Sequence, residues 1–119
     1  MNQGGTIVYQ SNVAKLIARA ESIIEKKWIK GNYRDGHGGY CAVGALRQAQ
    51  LQLKAEGLYI PYSDVDEAQA RLLKYANEGR NMQYTWLPNF NDAPETKKED
   101  VLNIFKKALA KAKKMVVSQ

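Results

Sequence analysis

The sequence predicts a mainly α-helical, compact four-helix domain. A small glycine-rich β-hairpin or loop is expected between helices 1 and 2, and a long aromatic loop before the last helix. Three observations lead to this fold class. Four segments repeat apolar residues at the three- and four-residue spacing of an amphipathic helix. Four of the nine glycines fall within residues 31–39, where they interrupt that pattern. The length of 119 residues suits one hydrophobic core, so residues 1–119 are expected to form a single domain.

The first two helices have recognisable ends. Helix 1 is predicted to begin after Ser11, a good N-cap, and to end near Lys27. Helix 2 is predicted to begin at Tyr40 or Cys41 and to be closed by Gly57. Their expected buried faces are Val13, Leu16, Ile17, Ala20, Ile23 and Ile24 in helix 1, and Ala42, Ala45, Leu46, Ala49 and Leu53 in helix 2.

The third and last helices carry capping signals of their own. Ser63 is the expected N-cap of helix 3, and Gly79 is the expected end. Thr96 and Glu99 have the spacing of a capping box, which predicts the start of the last helix there. Its apolar pattern predicts that this helix continues through Met115.

Two segments are predicted to lie outside these helices. Residues 80–95 are expected to form a long ordered loop, longer than the roughly 12 to 15 residues usual for such a connection. Its rings, Tyr84, Trp86 and Phe90, are expected to anchor the loop to the core, or else to contribute to a site. Residues 1–10 are predicted to be an N-terminal arm, in which TIVYQ has the composition of a short strand.

The glycine-rich connection, Gly31 to Gly39, is predicted to turn at the Asp35-Gly36 pair. It leads into a helix start made of small residues, including Gly44 and Ala45, which would allow another backbone to approach closely. An alternative is an anion site formed by free backbone N–H groups of the connection. The connection is no P-loop, because it lacks the Gly-Lys-Ser/Thr ending that holds phosphate and magnesium.

The net charge of +6 is unevenly distributed. Residues 1–79 carry a net charge of +2 and residues 97–119 a net charge of +5, which places the excess in the last helix. Such a surface attracts nucleotides, nucleic acid or acidic proteins without selecting among them, and it is also typical of a solvated helix face. The candidate ligand-binding residues are Lys30, Arg34, Arg47, Trp86, Asn91, Asp92, Lys106 and Lys107.

One cysteine, Cys41, excludes an internal disulfide and favours a reducing, cytoplasmic compartment. No secretory signal and no membrane span are expected from the sequence. A thiol at a helix start is a candidate nucleophile, and His37 is its candidate base. A small buried side chain is the commoner role for such a cysteine, so no enzyme activity is expected. No ligand spacing for a metal is present, and no cofactor is expected.

Two strings carry a resemblance: W-I-K-G-N-Y-R-D-G-H-G-G-Y-C-A-V-G-A-L and, later, N-D-A-P-E-T-x-x-E-D-V-L. They resemble a family of small actinobacterial and bacteriophage proteins to which no activity is assigned. Phe90 stands where the family has a tryptophan. The resemblance implies a fold and a source, and the host cytoplasm if the protein is phage-encoded. The matching residues are Trp28, Gly31, Asp35, Gly36, Cys41, Gly44, Ala45, Leu46, Asn91, Asp92, Thr96, Val101 and Leu102.

If these motifs recur together, the glycine-rich connection, the Cys41 helix start and the pair Asn91-Asp92 meet in space. That junction would be either a packing node or a pocket. In the packing alternative, Asp92 caps backbone N–H groups and Asn91 pairs with the glycine turn.

Three function classes remain open. The favoured one is a non-enzymatic binder of an anionic small molecule or nucleic acid, for example a phage protein that counters a host defence by sequestering a signalling nucleotide. The second is an inhibitor or adaptor that contacts a host protein through Tyr84 and Trp86. The third is an enzyme that depends on Cys41. A homo-oligomer is compatible with each class.

Overall fold

Five helices and two short strands follow one another along residues 6–117, the part of the chain that the computed structural model describes. The mainly α fold and its four longer helices are confirmed. The elements in chain order are β1 Thr6–Tyr9, α1 Asn12–Lys26, α2 Ala42–Ala55, α3 Tyr62–Ala76, α4 Leu87–Asp92, α5 Lys98–Ala110 and β2 Lys114–Val117. None of the helices in this part of the chain is long and apolar enough to cross a bilayer.

Helix α1 is the centre of the packing and contacts α2, α3 and α5. Its apolar stripe lies on one face because buried residues recur every three or four positions. The Ser11 side chain accepts a hydrogen bond from the Ala14 N–H at 3.0 Å, which confirms the predicted N-cap. The largest fully buried side chains are Leu16, Ile17, Ile24, Leu46, Ile60, Leu72, Leu87 and Phe105.

The start of α2 lies against the glycine-rich connection, as its small residues predict. Cys41 is the N-cap, and its Sγ accepts a hydrogen bond from the Gly44 N–H at 3.3 Å. The Tyr33 carbonyl accepts a hydrogen bond from the Cys41 N–H at 3.1 Å. A Cβ on Gly44 would lie 1.9 Å from that carbonyl oxygen, so only glycine fits.

The predicted long loop over residues 80–95 is ordered, but it is not a loop throughout, because it contains the helix α4. Leu87 and Phe90 are buried on one side of that helix, and such contacts stabilise a six-residue helix that would not persist alone. Tyr84 packs edge-on against Phe90 with ring centres 5.6 Å apart. Anchoring is therefore confirmed for these two rings, while Trp86 remains 50% exposed.

The last helix ends at Ala110 and does not reach Met115. The Ala112 N–H bonds to the Leu109 carbonyl, which tightens the final turn. The chain then forms β2, whose consecutive valines favour a strand. Strand β2 pairs antiparallel with β1, with Thr6 opposite Val117 and Tyr9 opposite Lys114. The short N-terminal strand is confirmed from Thr6 onward, and residues 1–5 of the predicted arm lie outside the described residues.

Two other helix starts differ from the prediction. Helix α3 begins at Tyr62 after Pro61, whose fixed φ suits a helix start, and not after Ser63. Helix α5 begins after Lys97, whose N–H donates to Asp100 Oδ2 at 2.9 Å. Thr96 is buried in the preceding turn, where its N–H bonds to the Ala93 carbonyl, and it does not cap the helix.

Candidate functional site

Asn91 joins the glycine-rich connection to α2 and α4. Its Oδ1 accepts hydrogen bonds from Trp28 Nε1 at 2.7 Å and from the Ala42 N–H at 3.0 Å. Its Nδ2 donates to the Ile29 carbonyl at 3.1 Å and to Asp92 Oδ1 at 2.9 Å. The side chain is fully buried, and these four bonds use its whole hydrogen-bonding capacity. Asn91 is therefore a packing residue with no group left for a ligand.

Two further hydrogen bonds, made by the side chains of Asp92 and Lys30, tie the glycine-rich connection to the segment around Asn91. Asp92 Oδ1 accepts a second hydrogen bond, from the Gly31 N–H at 2.9 Å. Lys30 Nζ donates to the Ala93 carbonyl at 2.6 Å and lies 5.6 Å from the centre of the Trp28 ring. The predicted meeting of the connection, the α2 start and residues 91–92 is thus present.

Asp35 closes the glycine-rich connection from within. Its Oδ1 accepts hydrogen bonds from the His37 N–H at 2.8 Å and the Gly39 N–H at 2.9 Å. Lys27 Nζ lies 2.7 Å from its Oδ2. The pKa of Asp35 is held well below its usual range. The hydrogen bond from Lys27 is the largest cause, and the two backbone N–H groups follow. An ordered loop is therefore confirmed, and the N–H groups of His37 and Gly39 that a phosphate cradle would use are already occupied.

The thiol of Cys41 lies in a site unlike that of an activated nucleophile. Its residue is 3% exposed, and burial raises the pKa of the thiol, which disfavours the thiolate. His37 is exposed, and within residues 6–117 no hydrogen bond joins its ring to Cys41. In the same part of the chain, no three His, Cys, Asp or Glu side chains come together in a metal-binding arrangement.

Beside the hydrogen-bonded junction is a cavity of about 250 Å³, the junction cavity. It brings together two predicted binding residues, Trp86 and Asp92. Asp92 is anchored through Oδ1, whereas its Oδ2 has no hydrogen bond among the described residues. The junction is therefore both a packing node and a pocket. The lining is Gly31, Asn32, Tyr33, Cys41, Trp86, Pro88 and Asp92.

A second cavity, the arginine groove, has a volume of about 310 Å³ and contains two further predicted residues, Arg34 and Arg47. The Arg47 guanidinium lies 4.7 Å from the centre of the Tyr33 ring. Neither arginine has a salt bridge or side-chain hydrogen bond within the described residues. The described residues that line the groove include no carboxylate: they are Tyr33, Arg34, Tyr40, Gly44, Arg47, Gln48 and Leu51.

Tyr33 lines both cavities and was not among the predicted site residues. The same holds for Tyr40, which lies beside the arginines of the groove. The available signal was the adjacent pair Tyr33-Arg34, because aromatic residues next to basic residues are typical of nucleotide-binding surfaces.

The lysines of α5 do not join either cavity. Lys106 Nζ lies 4.0 Å from Glu21, and Lys107 Nζ lies 3.0 Å from Glu78. Helix α5 carries three lysines against two acids, so the basic excess of residues 97–119 lies mostly outside it. The prediction that the last helix carries the excess charge is therefore wrong.

A family model described as a family of unknown function (DUF6197) matches residues 8–111. Neither a curated protein nor a solved structure matches the chain. The geometry described above is therefore the basis for any assignment of function.

Proposed function

The chain belongs to the family of unknown function (DUF6197), and we propose that it is a non-enzymatic protein that binds the phosphate groups of a nucleotide in the arginine groove. The nucleotide is either free or part of single-stranded nucleic acid. The observation that carries the proposal is the pair Arg34 and Arg47, which share one groove without a carboxylate partner among the described residues.

The other arginines of the chain make a useful contrast. Arg19 binds Glu56 through both terminal nitrogens at 2.7 Å, and Arg71 pairs with Glu67. Arg80 donates to the Ala76 carbonyl through Nε at 2.8 Å, and it lies in a cavity that Glu78, Glu95 and Asp100 also line. Arg34 and Arg47 differ in that their guanidinium donors have neither a bound acceptor nor a neighbouring acid within residues 6–117. A guanidinium binds phosphate through two parallel N–H groups.

The rings of the groove support a nucleotide over a simple anion. Tyr33 orients the Arg47 guanidinium by stacking, so less side-chain freedom is lost when a phosphate binds. Tyr40 lines the same groove. Aromatic rings beside a basic groove bind nucleotides by stacking and charge together.

The test is titration with inorganic triphosphate and with a short single-stranded oligonucleotide. The double variant R34A/R47A is expected to bind either ligand at least about tenfold more weakly, because each arginine forms a charge-assisted bond. The affinity of the unmodified protein should fall between about 50 and 200 mM salt, since counterions compete for the groove.

The matched control is K26A/K74A, which removes two exposed basic side chains from α1 and α3 and changes the net charge equally. This control should bind nearly as well as the unmodified protein. An equal loss in both double variants would indicate general charge attraction, and no binding at low salt would reject the proposal.

A protein-binding role is the second candidate, and exposure of apolar side chains favours it. Trp86 is 50% exposed and Met82 is 86% exposed in the segment before α4. Tyr84 contributes less than the sequence suggests, because its hydroxyl donates to Glu95 at 2.9 Å and its ring packs on Phe90. A partner that protects this segment from proteolysis, when triphosphate does not, would favour this candidate.

A further inference from the structure

The junction cavity has the opposite chemistry to the adjacent arginine groove, because its lining among residues 6–117 includes a carboxylate and no basic side chain. We infer that it receives a guanine base, so that the ligand is a guanine nucleotide whose phosphate groups lie in the arginine groove. This inference rests on the proposed function, since the groove must first bind phosphate.

Asp92 offers the base an edge that only accepts hydrogen bonds. Its Oδ1 is held by the Gly31 N–H and the Asn91 amide, both at 2.9 Å, which fixes the orientation of the carboxylate. Its Oδ2 remains available, because no described residue donates to it. The cavity therefore suits a ligand edge that presents donors.

Among the bases, guanine fits this edge best. Its N1–H and 2-amino group are adjacent donors that can both reach Oδ2, the oxygen left after Oδ1 has accepted two hydrogen bonds. Adenine and cytosine instead place a ring-nitrogen acceptor beside their amino group. Uracil and thymine offer a single N–H between two carbonyl oxygens. Asn32 lines the same cavity, and its side-chain amide has no hydrogen bond within residues 6–117, so it can donate to the guanine O6.

The walls and volume of the cavity suit one nucleobase and not a whole nucleotide. Tyr33 is 41% exposed and Trp86 is 50% exposed, and both rings line the cavity. A base that stacks on them would cover apolar surface and gain stacking energy. The volume of about 250 Å³ is below the roughly 300 Å³ of the smallest whole-ligand pockets, so the rest of the nucleotide must lie elsewhere.

Tyr33 supplies the connection between base and phosphate. It lines the junction cavity and also stacks with Arg47 in the arginine groove. A nucleotide that spans Tyr33 would place its base beside Asp92 and its phosphate groups beside Arg34 and Arg47. Neither cavity alone has both the acceptor and the cations that such a ligand requires.

The experiment compares GTP, ATP and inorganic triphosphate by calorimetry and by quenching of tryptophan fluorescence. GTP is expected to bind about tenfold more tightly than ATP, because a paired donor edge discriminates bases by roughly that factor. D92N should remove the preference, since an amide presents a donor where guanine also presents one. W86A should weaken GTP binding and leave triphosphate binding nearly unchanged.

The outcomes separate the inference from the proposed function. If triphosphate binds through Arg34 and Arg47 while GTP and ATP bind equally, the guanine inference is wrong and the phosphate groove stands. If triphosphate and GTP both fail to bind, both are wrong. D66N, which changes an exposed acid on α3, is the control and should keep the preference for GTP. A guanine-rich oligonucleotide measured beside GTP distinguishes the two sources of the base. Tighter binding of the oligonucleotide indicates nucleic acid, and tighter binding of GTP indicates a free nucleotide.

Discussion

At the scale of single residues, Asp35 determines the conformation of the glycine-rich connection. Its carboxylate accepts hydrogen bonds from two backbone N–H groups and also pairs with Lys27. These interactions offset the conformational entropy that is lost when a segment with few apolar contacts becomes ordered. Positive φ angles at Gly36 and Gly38 allow the chain to curve around it. The order of this segment therefore depends on ionisation of Asp35.

The first prediction concerns the pH dependence of stability through Asp35. Because its pKa in the folded protein is lowered, the stability that it contributes is present above the unfolded pKa of about 3.9 and is lost as pH falls through the folded pKa. We expect D35N to be less stable than the unmodified protein at pH 5 to 7. The difference should shrink below about pH 4.

Urea denaturation across that pH range measures the effect. D66N, which removes an exposed carboxylate that has no hydrogen bond within the described part of the chain, is the control and should follow the unmodified protein. A difference between D35N and the unmodified protein that stays constant from neutral pH to pH 2 would contradict the argument.

At the scale of elements, the junction depends on how closely α2 approaches the connection. The Tyr33 carbonyl contacts Gly44 and accepts a hydrogen bond from the Cys41 N–H. The start of α2 therefore fixes the position of the Tyr33 ring, which lines both cavities. A side chain at position 44 would separate the two segments. The arginine groove and the junction cavity would then change together.

The second prediction is that G44A destabilises the fold by about 3 kcal/mol, which is typical of a severe overpacking change. Helix propensity alone would make the same substitution stabilising by about 1 kcal/mol, so the sign of the change identifies the cause. Urea denaturation measures it. K54A, an exposed change in the last turn of α2, should shift stability by less than about 0.5 kcal/mol. A G44A variant as stable as the unmodified protein would refute the close approach.

The elements differ in how far the sequence predicts them. Helices α1 and α2 were predictable because their periodic faces and end signals agree with their burial. Helix α4 was not, since its six residues depend on burial of Leu87 and Phe90 and on no local pattern. The end of α5 was missed because Ala112 and Met115 continue the helical spacing. What ends the helix is the pairing of β2 with β1, and local spacing does not reveal a contact so distant in sequence.

At the scale of the whole molecule, the site is only partly predictable. Proximity of Asn91 and Asp92 to the helix start could be inferred from the motifs, but their separate roles depend on hydrogen bonds that no spacing encodes. Net charge pointed to α5, where Lys106 pairs with Glu21 of α1 and Lys107 pairs with Glu78 in the turn after α3. That Arg34 and Arg47 share a groove without a carboxylate among the described residues can be recognised only once the acids that could neutralise them have been located.

The last prediction concerns the ribbon formed by β1 and β2, whose aliphatic side chains are exposed and in which Tyr9 packs against the core. Ile7 is 51% exposed and Val116 is 67% exposed, and an isolated two-stranded sheet is marginal by itself. We therefore expect that a chain ending after Ala112, which lacks β2, keeps its helical circular dichroism and binds triphosphate as before. Its melting temperature should fall by less than about 5 °C.

F105A is the comparison for this truncation, because Phe105 is fully buried on α5 and its loss leaves a cavity in the core. That substitution is expected to cost about 3 to 5 kcal/mol and to lower the melting temperature far more than removal of β2. A fall above about 10 °C on truncation, or loss of triphosphate binding, would mean that the ribbon stabilises the helices to which it is joined. The core of α1, α2, α3 and α5 would then be insufficient to hold the arginine groove in place.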